Sequence, residues 1–330
     1  MAKRGGYVLL AVLILLAAVA TSLTIGSRHI PLAEAVDALL HPSTSEAALI
    51  VRELRVPRTL IGIEVGAALA IAGVIMQALT RNPLAEARVL GISAGAATGV
   101  VAAIALFGIT SLAGWIWFGL TGAALAGALV FFVAARTRDG SGPVSLALSG
   151  AAIDAGLGAL IYGILSIDAA TFEQYRFWVV GSIAGRTPAM ASQMAPFLAI
   201  GLLLAAVVAR GLDALALGDD VARGLGHRIA RVRLLAAIAA IVLTGAAVAL
   251  AGPIAFVGLA VPHAARAMVG TAHRWVLPLS ALLGSALLLF ADVLGRVVTP
   301  PGEVAAGVVT ALVGAPVLLW LVRRARVVTA

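Results

Sequence analysis

This chain reads as an all-α polytopic membrane protein with about ten transmembrane helices and an inverted internal repeat. Three observations carry that expectation. Of 330 residues, 62% are hydrophobic and only 12% charged, with mean hydropathy +1.09, against roughly 45–50% apolar and about 25% charged in soluble domains. The apolar residues gather in runs close to the ~20 needed to cross a bilayer as a helix, whose backbone groups are satisfied internally. The chain also matches itself at an offset of 179 residues.

The first span covers 7–25, behind Lys3 and Arg4. Lys3, Arg4, an apolar run and Ala18-Val19-Ala20 also fit a cleaved signal peptide. The run continues almost to Ile25, however, and nothing after it reads as a soluble domain. The second span covers 58–79, and Pro57 predicts a bend just before it. Spans at 89–108, 112–134, 143–166, 190–209 and 232–252 follow. The eighth, 254–270, is short and interrupted by Pro262, His263 and Arg266, and 275–294 and 304–322 complete the set.

These spans form a single transmembrane domain over 1–330, with repeat halves at about 58–166 and 232–322. At the 179-residue offset, Gly66, Gly73, Pro83 and Gly91 fall on Gly245, Gly252, Pro262 and Gly270. Small residues that allow close helix packing would produce some of this likeness without a repeat. Ten spans put the second and seventh in opposite directions, as in transporters built from inverted repeats.

Basic residues set the orientation. With both termini cytoplasmic, only Arg28, Arg52, Arg55, Arg58, Arg176, Arg186 and Arg296 of the 23 Lys and Arg lie outside. Arginines placed between apolar runs are not the hydrated basic face of a nucleic-acid binder. The absence of cysteine excludes disulfides, thiolate metal sites and iron–sulfur ligation. Five scattered histidines make no metal site, so any iron handled here arrives already chelated.

Lys3 is the only lysine, so a P-loop is absent, as are G-x-S-x-G and H-E-x-x-H. No catalytic residues, metal or cofactor of its own are expected, so if the chain transports, the work enters from another polypeptide. An ion-coupled secondary transporter is the alternative, because acids at membrane depth are functional candidates. Glu64 and Asp292 lie toward the outer ends of their spans, and only Asp154 is central.

A polar island at 210–231, including "LALGDDVARGLG" from Leu215 to Gly226, interrupts the apolar runs. Gly218, Gly224 and Gly226 permit tight breaks between short helices, and Asp219 and Asp220 suit a helix N-terminus. Together with "RVPRTLIGIEVGAALAIAGVIMQALTRNPLAEARVLGISAGA", "FWVVGSIAGR", "GPIAFVGLAVPHAARAMVG" and "GEVAAGVVTALVGAPVLLWLVRR", this island resembles the FecCD permease family of ABC importers for iron chelates, haem and cobalamin.

The resemblance covers residue 50 to the C-terminus. It implies a ten-span permease of the bacterial inner membrane, working as a homodimer with two cytoplasmic ATPase subunits that bind ATP and Mg, and with a periplasmic binding protein. It assigns Leu215, Gly218, Asp219, Asp220, Arg223, Gly224 and Gly226 to coupling helices docked on the ATPase. Arg55, Arg58 and Arg296 correspond to external residues that pair with carboxylates of the binding protein; snorkelling to lipid headgroups is the alternative.

Asn82 and Leu84, with Ser141 and Gly142, align with a cytoplasmic gate in the cobalamin relatives. The "SG" at Ser141 departs from the hydroxyl pair expected there. Tyr175, Arg176, Phe177 and Trp178 lie near the external mouth, where aromatic faces and a guanidinium suit a dianionic porphyrin. "YRFWVVGS" is similar to haem-importing members, and ferric siderophore and cobalamin carriers remain alternatives. An interfacial aromatic belt accounts for the rings equally well.

Overall fold

The computed structural model describes residues 2–41, 43–86, 90–137, 142–226, 228–300 and 302–328, which contain helices, turns and no strand. The elements in order are α1 (Ala2–Thr24), α2 (Leu32–Leu40), α3 (Glu46–Leu49), a π-helical stretch (Ile50–Arg55), α4 (Val56–Thr80), α5 (Ile92–Phe107), α6 (Leu112–Ala135), α7 (Pro143–Ile167) and α8 (Ala169–Val179). There follow α9 (Pro188–Ala216), α10 (Asp219–Gly224), α11 (Ile229–Ala251), α12 (Val257–Val269), α13 (His273–Val298) and α14 (Ala306–Val328).

Seven helices are long and apolar enough to span a bilayer, and α5, α12 and the first part of α14 are shorter apolar helices. Each expected span therefore has a helix. Four further elements escaped the sequence reading. α2, α3 and the π-helical stretch precede α4, and α8 follows α7. They are 4 to 11 residues long, too short to register as spans. Helix is not interrupted before Pro57, although proline discourages it there. The π-helical stretch runs directly into α4, and Pro57 stands at its second residue.

Burial orders the helices. The most apolar window of the segment ending in α4 is 78% buried and that of α11 72%, whereas α1 reaches 17% and α7 28%. α4 and α11 thus form the centre, with α13, α9, α12 and α6 packed around them. The outer helices turn leucines such as Leu9, Leu13 and Leu16 away from the protein, as lipid contact requires. α1 is built into the bundle through Ala18, which packs on Ala286 and Leu289 of α13.

Without a hydrophobic drive between helices in lipid, close backbone approach supplies the packing energy. α4 meets α12 at Gly73 and Gly258, where a Cβ on Gly73 would stand 1.9 Å from the Gly258 carbonyl oxygen. It meets α13 at Gly66 and Gly284 in the same manner. Gly73→Val is therefore expected to lower the thermal midpoint of the detergent-purified protein by roughly ten degrees or to abolish its recovery. Gly245→Ala, whose Cβ would meet Ala123 at 3.1 Å, is expected to shift it by no more than about three degrees. Comparison of thermal unfolding by size-exclusion recovery checks both.

The eighth span is not interrupted at Pro262 as expected. The break lies at Gly252–Phe256, and α12 continues unbroken through Pro262. Proline lacks the N–H that would bond the carbonyl four residues back, which here belongs to Gly258. Gln77 Nε2 donates to that carbonyl at 3.2 Å instead, while Gln77 Oε1 accepts from Arg266 at 2.5 Å. One buried amide satisfies both irregularities.

Candidate functional site

At one end of the bundle, α9 runs through Arg210 to Ala216, so Leu215 is helical and the polar connection begins only at Leu217. Gly218, at φ 104°, turns the chain into α10, and Gly226, at φ 82°, turns it out again. Gly224 is inside α10 with ordinary backbone angles and open space beside it. Of the three glycines, it alone is not demanded by the backbone.

The two aspartates separate. Asp219 is half-buried and accepts from Arg81 Nη2 at 2.6 Å and from Arg233 Nη2 at 2.9 and 3.1 Å. Arg81 also donates to the Leu215 carbonyl at 3.0 Å. Asp220 is 99% exposed at its side chain and, among the described residues, pairs with Arg223, one turn on, at 2.8 Å. Asp219 thus fastens α10 to α4 and α11, and Asp220 faces outward. Leu217, Val221 and Leu225 are also exposed, at 62, 50 and 61%. Val221 and Leu225, four apart on and just after α10, form a short apolar stripe, and Leu217 precedes the turn at Gly218.

Arg81 ends α4 in a left-handed conformation, and Arg233 lies in the first turns of α11. Both reach Asp219, so α4 and α11 run in opposite directions, as the inverted repeat requires. Beyond Arg81, Asn82 Oδ1 accepts from the Leu84 N–H at 2.9 Å and closes a tight turn. Leu84 is exposed. Gly142 precedes the first turn of α7, and Ser141 lies outside the described residues.

The opposite end holds the arginine cluster. Arg55 is 5% exposed and donates to the carbonyls of Leu23, at 2.7 Å, and Arg28. Arg58 grips Asp292 at 2.7–3.0 Å and reaches Glu303 at 2.7 Å. Arg296, 3% exposed, donates to the carbonyl and hydroxyl oxygens of Ser22 at 3.1 Å and lies 3.2 Å from Asp292. Asp292, 1% exposed, thus sits between two guanidiniums and joins α4 to α13, and Arg296 carries the connection to α1.

All three arginines face a cleft of about 240 Å³ that Arg28, Arg186 and Glu53 also line. Burial lowers the Arg186 guanidinium to about 10, still cationic at neutral pH. Sequence reasoning selected the arginines and missed their partners Glu303 and Ser22. Asp292 and Arg296 stand four apart on α13, a spacing that was available to find that pair.

A larger cavity of about 1000 Å³ lies between α5, α7, α8 and the break before α12. Tyr175 and Arg176 line it, with Asp154 and Glu86. Arg176 is paired with Glu173 at 2.6 Å and lies 4.7 Å from the Phe177 ring centre. Phe177 and Trp178 are not in the wall. Trp178 is buried 6.0 Å from the Tyr175 ring, and Phe177 is exposed. Four consecutive residues of a helix point about 100° apart, so no single surface receives them all. Asp168 caps α8, accepting from the Thr171 hydroxyl and from the Thr171 and Ala170 N–H groups, which holds its carboxyl below the usual range. Glu64 Oε2 finds no hydrogen-bond partner among the described residues.

Comparison with known proteins matches this arrangement. The FecCD transport family matches residues 13–324. The ferric enterobactin transport system permease protein FepD of Escherichia coli (strain K12) is 43% identical over 313 residues, covering 94% of this chain and 93% of that protein. The Fe(3+)-citrate import system permease protein YfmD of Bacillus subtilis (strain 168) is 40% identical over 318 residues, covering 96% and 94%. A solved structure described as an inward-facing conformation of a metal-chelate type ABC transporter superposes with TM-score 0.85 at 28% identity, covering 96% of this chain and 98% of that one. By the match over residues 13–324, to which the apolar helices of the described residues and the short α10 on its polar connection conform, the chain belongs to the FecCD transport family.

Proposed function

We propose that the chain is the transmembrane permease subunit of an ATP-driven importer of ferric siderophores. It works as a homodimer in the bacterial inner membrane, with both termini and α10 on the cytoplasmic side. Two ATPase subunits, which bind ATP and Mg, dock there, and a periplasmic binding protein delivers cargo at the arginine-lined end. The observation that carries this reading is α10, held to the bundle through Asp219 while its apolar stripe and Asp220 are open to a partner.

The arginine cluster takes a particular part. Arg55 and Arg296 are already hydrogen-bonded inside the chain, so they act through the positive field of the cleft, which steers an acidic partner surface. Asn82 and Leu84, with Ser141 and Gly142, remain assigned to the cytoplasmic closure of the pathway.

A ferric siderophore is favoured over haem. Two of the four residues chosen for a porphyrin are off the cavity wall, and the guanidinium of Arg176 is already paired. The relatives named above carry ferric enterobactin and ferric citrate in their names. In proteoliposomes containing the permease, its ATPase and its binding protein, ATP-dependent uptake of a ferric siderophore is expected to exceed that of haem by about tenfold or more. Equal or greater uptake of haem reverses the cargo assignment, and accumulation by the permease without any ATPase overturns the importer reading.

A further inference from the structure

The six residues between α4 and the cavity floor, Arg81 to Glu86, are held at both ends. At the first end, Arg81 Nη2 bonds Asp219 of α10 at 2.6 Å and the Leu215 carbonyl of α9 at 3.0 Å. At the other, Glu86 Oε2 accepts from the backbone N–H of Phe256 at 3.1 Å. Between them the Asn82 turn and the Ala85 N–H, which donates to the Asn82 carbonyl, keep the segment compact.

Phe256 is a sensitive place to be held. It is one of two described non-glycine residues with positive φ, at 69°, and it starts α12. Such a conformation costs energy for a bulky residue and persists only where its surroundings enforce it. A helix start also leaves N–H groups unpaired, and the Glu86 carboxylate takes this one with a charge-assisted bond. Its neighbours Pro253, Ile254 and Ala255 line the large cavity, as does Glu86. The Phe256 ring rests on α14, where a Cβ on Gly314 would stand 2.2 Å from the ring.

We infer that Arg81 and Glu86 are the positioning residues of a strap that carries displacement of α10 to the cavity wall. When α10 moves, the Arg81–Asp219 pair draws the end of α4 and the Asn82 turn with it. Glu86 passes the movement to the Phe256 backbone, so that the break before α12 shifts against α14. The inference rests on the importer reading above, with α10 as the element that the ATPase moves. It adds the route from that element to the pathway.

The test uses the complete complex of permease, ATPase and binding protein in proteoliposomes. The chain contains no cysteine, so Ser93→Cys places one thiol in the cavity lining for labelling by a soluble maleimide with and without ATP and vanadate. In that parent, nucleotide is expected to change the labelling rate. Arg81→Ala and Glu86→Ala are each expected to abolish that change and to cut uptake about tenfold, with ATP hydrolysis kept within about twofold.

Glu86→Gln, whose amide oxygen can still accept from Phe256, is expected to keep at least about half of the uptake. The double alanine variant is expected to be no worse than the poorer single one, because both cut the same path. Labelling that still responds to nucleotide in both alanine variants, or losses that multiply in the double variant, overturns the strap. If the alanine variants fail to assemble, Glu86→Gln decides: a retained response supports the strap, and its loss overturns it. A parent complex without ATP-dependent uptake overturns the importer reading itself, a result separable from failure of the variants alone.

Discussion

Charging the outward face of α10 is expected to detach the permease from its ATPase. Val221 and Leu225 form a short exposed apolar stripe, with exposed Leu217 beside it, on a helix that is anchored to the bundle through Asp219. A partner cleft that covers this stripe removes water from it. Val221→Asp with Leu225→Asp then places carboxylates where nothing pairs with them, and each unpaired buried charge costs several kcal/mol. Affinity is expected to fall at least about 100-fold, and uptake with it, because the stripe faces away from the permease core and folding does not depend on it.

Co-purification of the ATPase on tagged permease reads the effect directly, with size-exclusion behaviour of the permease as the control. Asp220→Ala is expected to weaken binding by less than about tenfold, since its carboxylate is solvated and shared with Arg223. Undiminished co-purification of the doubly charged variant would remove α10 from the interface.

The second large effect is expected from Asp292→Ala. Asp292 lies between Arg58 and Arg296 in the joint between α4 and α13, beside the contact of Arg296 with Ser22 of α1. Its removal leaves two largely buried guanidiniums facing each other without their shared carboxylate. Breaking a buried pair by deleting one partner costs about 3–5 kcal/mol, a shift of roughly ten degrees in the thermal midpoint of a domain this size. Asp292→Asn, which keeps hydrogen-bond acceptance and loses the charge, is expected to fall between. A midpoint unchanged in Asp292→Ala would mean that water or headgroups satisfy the arginines and that other contacts fasten this end.

The ten spans and their opposed directions were readable because a bilayer imposes a simple rule: a long apolar run forms a helix that satisfies itself. Gly73 and Gly258 show where that rule stops. Both are visible as small residues, but their contact across 185 positions is a property of packing. The same holds for Gln77, an unremarked polar residue in an apolar run until the carbonyl freed by Pro262 is found beside it.

Composition, hydropathy and motif order were enough to establish a polytopic helical permease, its family and the polar connection that holds α10, because these are local properties of the chain. Tertiary structure alone decided that Asp219 is an internal anchor while adjacent Asp220 faces out, that Arg55 and Arg296 are bonded inward, and that Tyr175 and Arg176 reach the cavity while Phe177 and Trp178 do not. The reason is geometric. On a helix, neighbours in sequence point about 100° apart, and each one's chemistry is set by whichever distant segment packs against that direction.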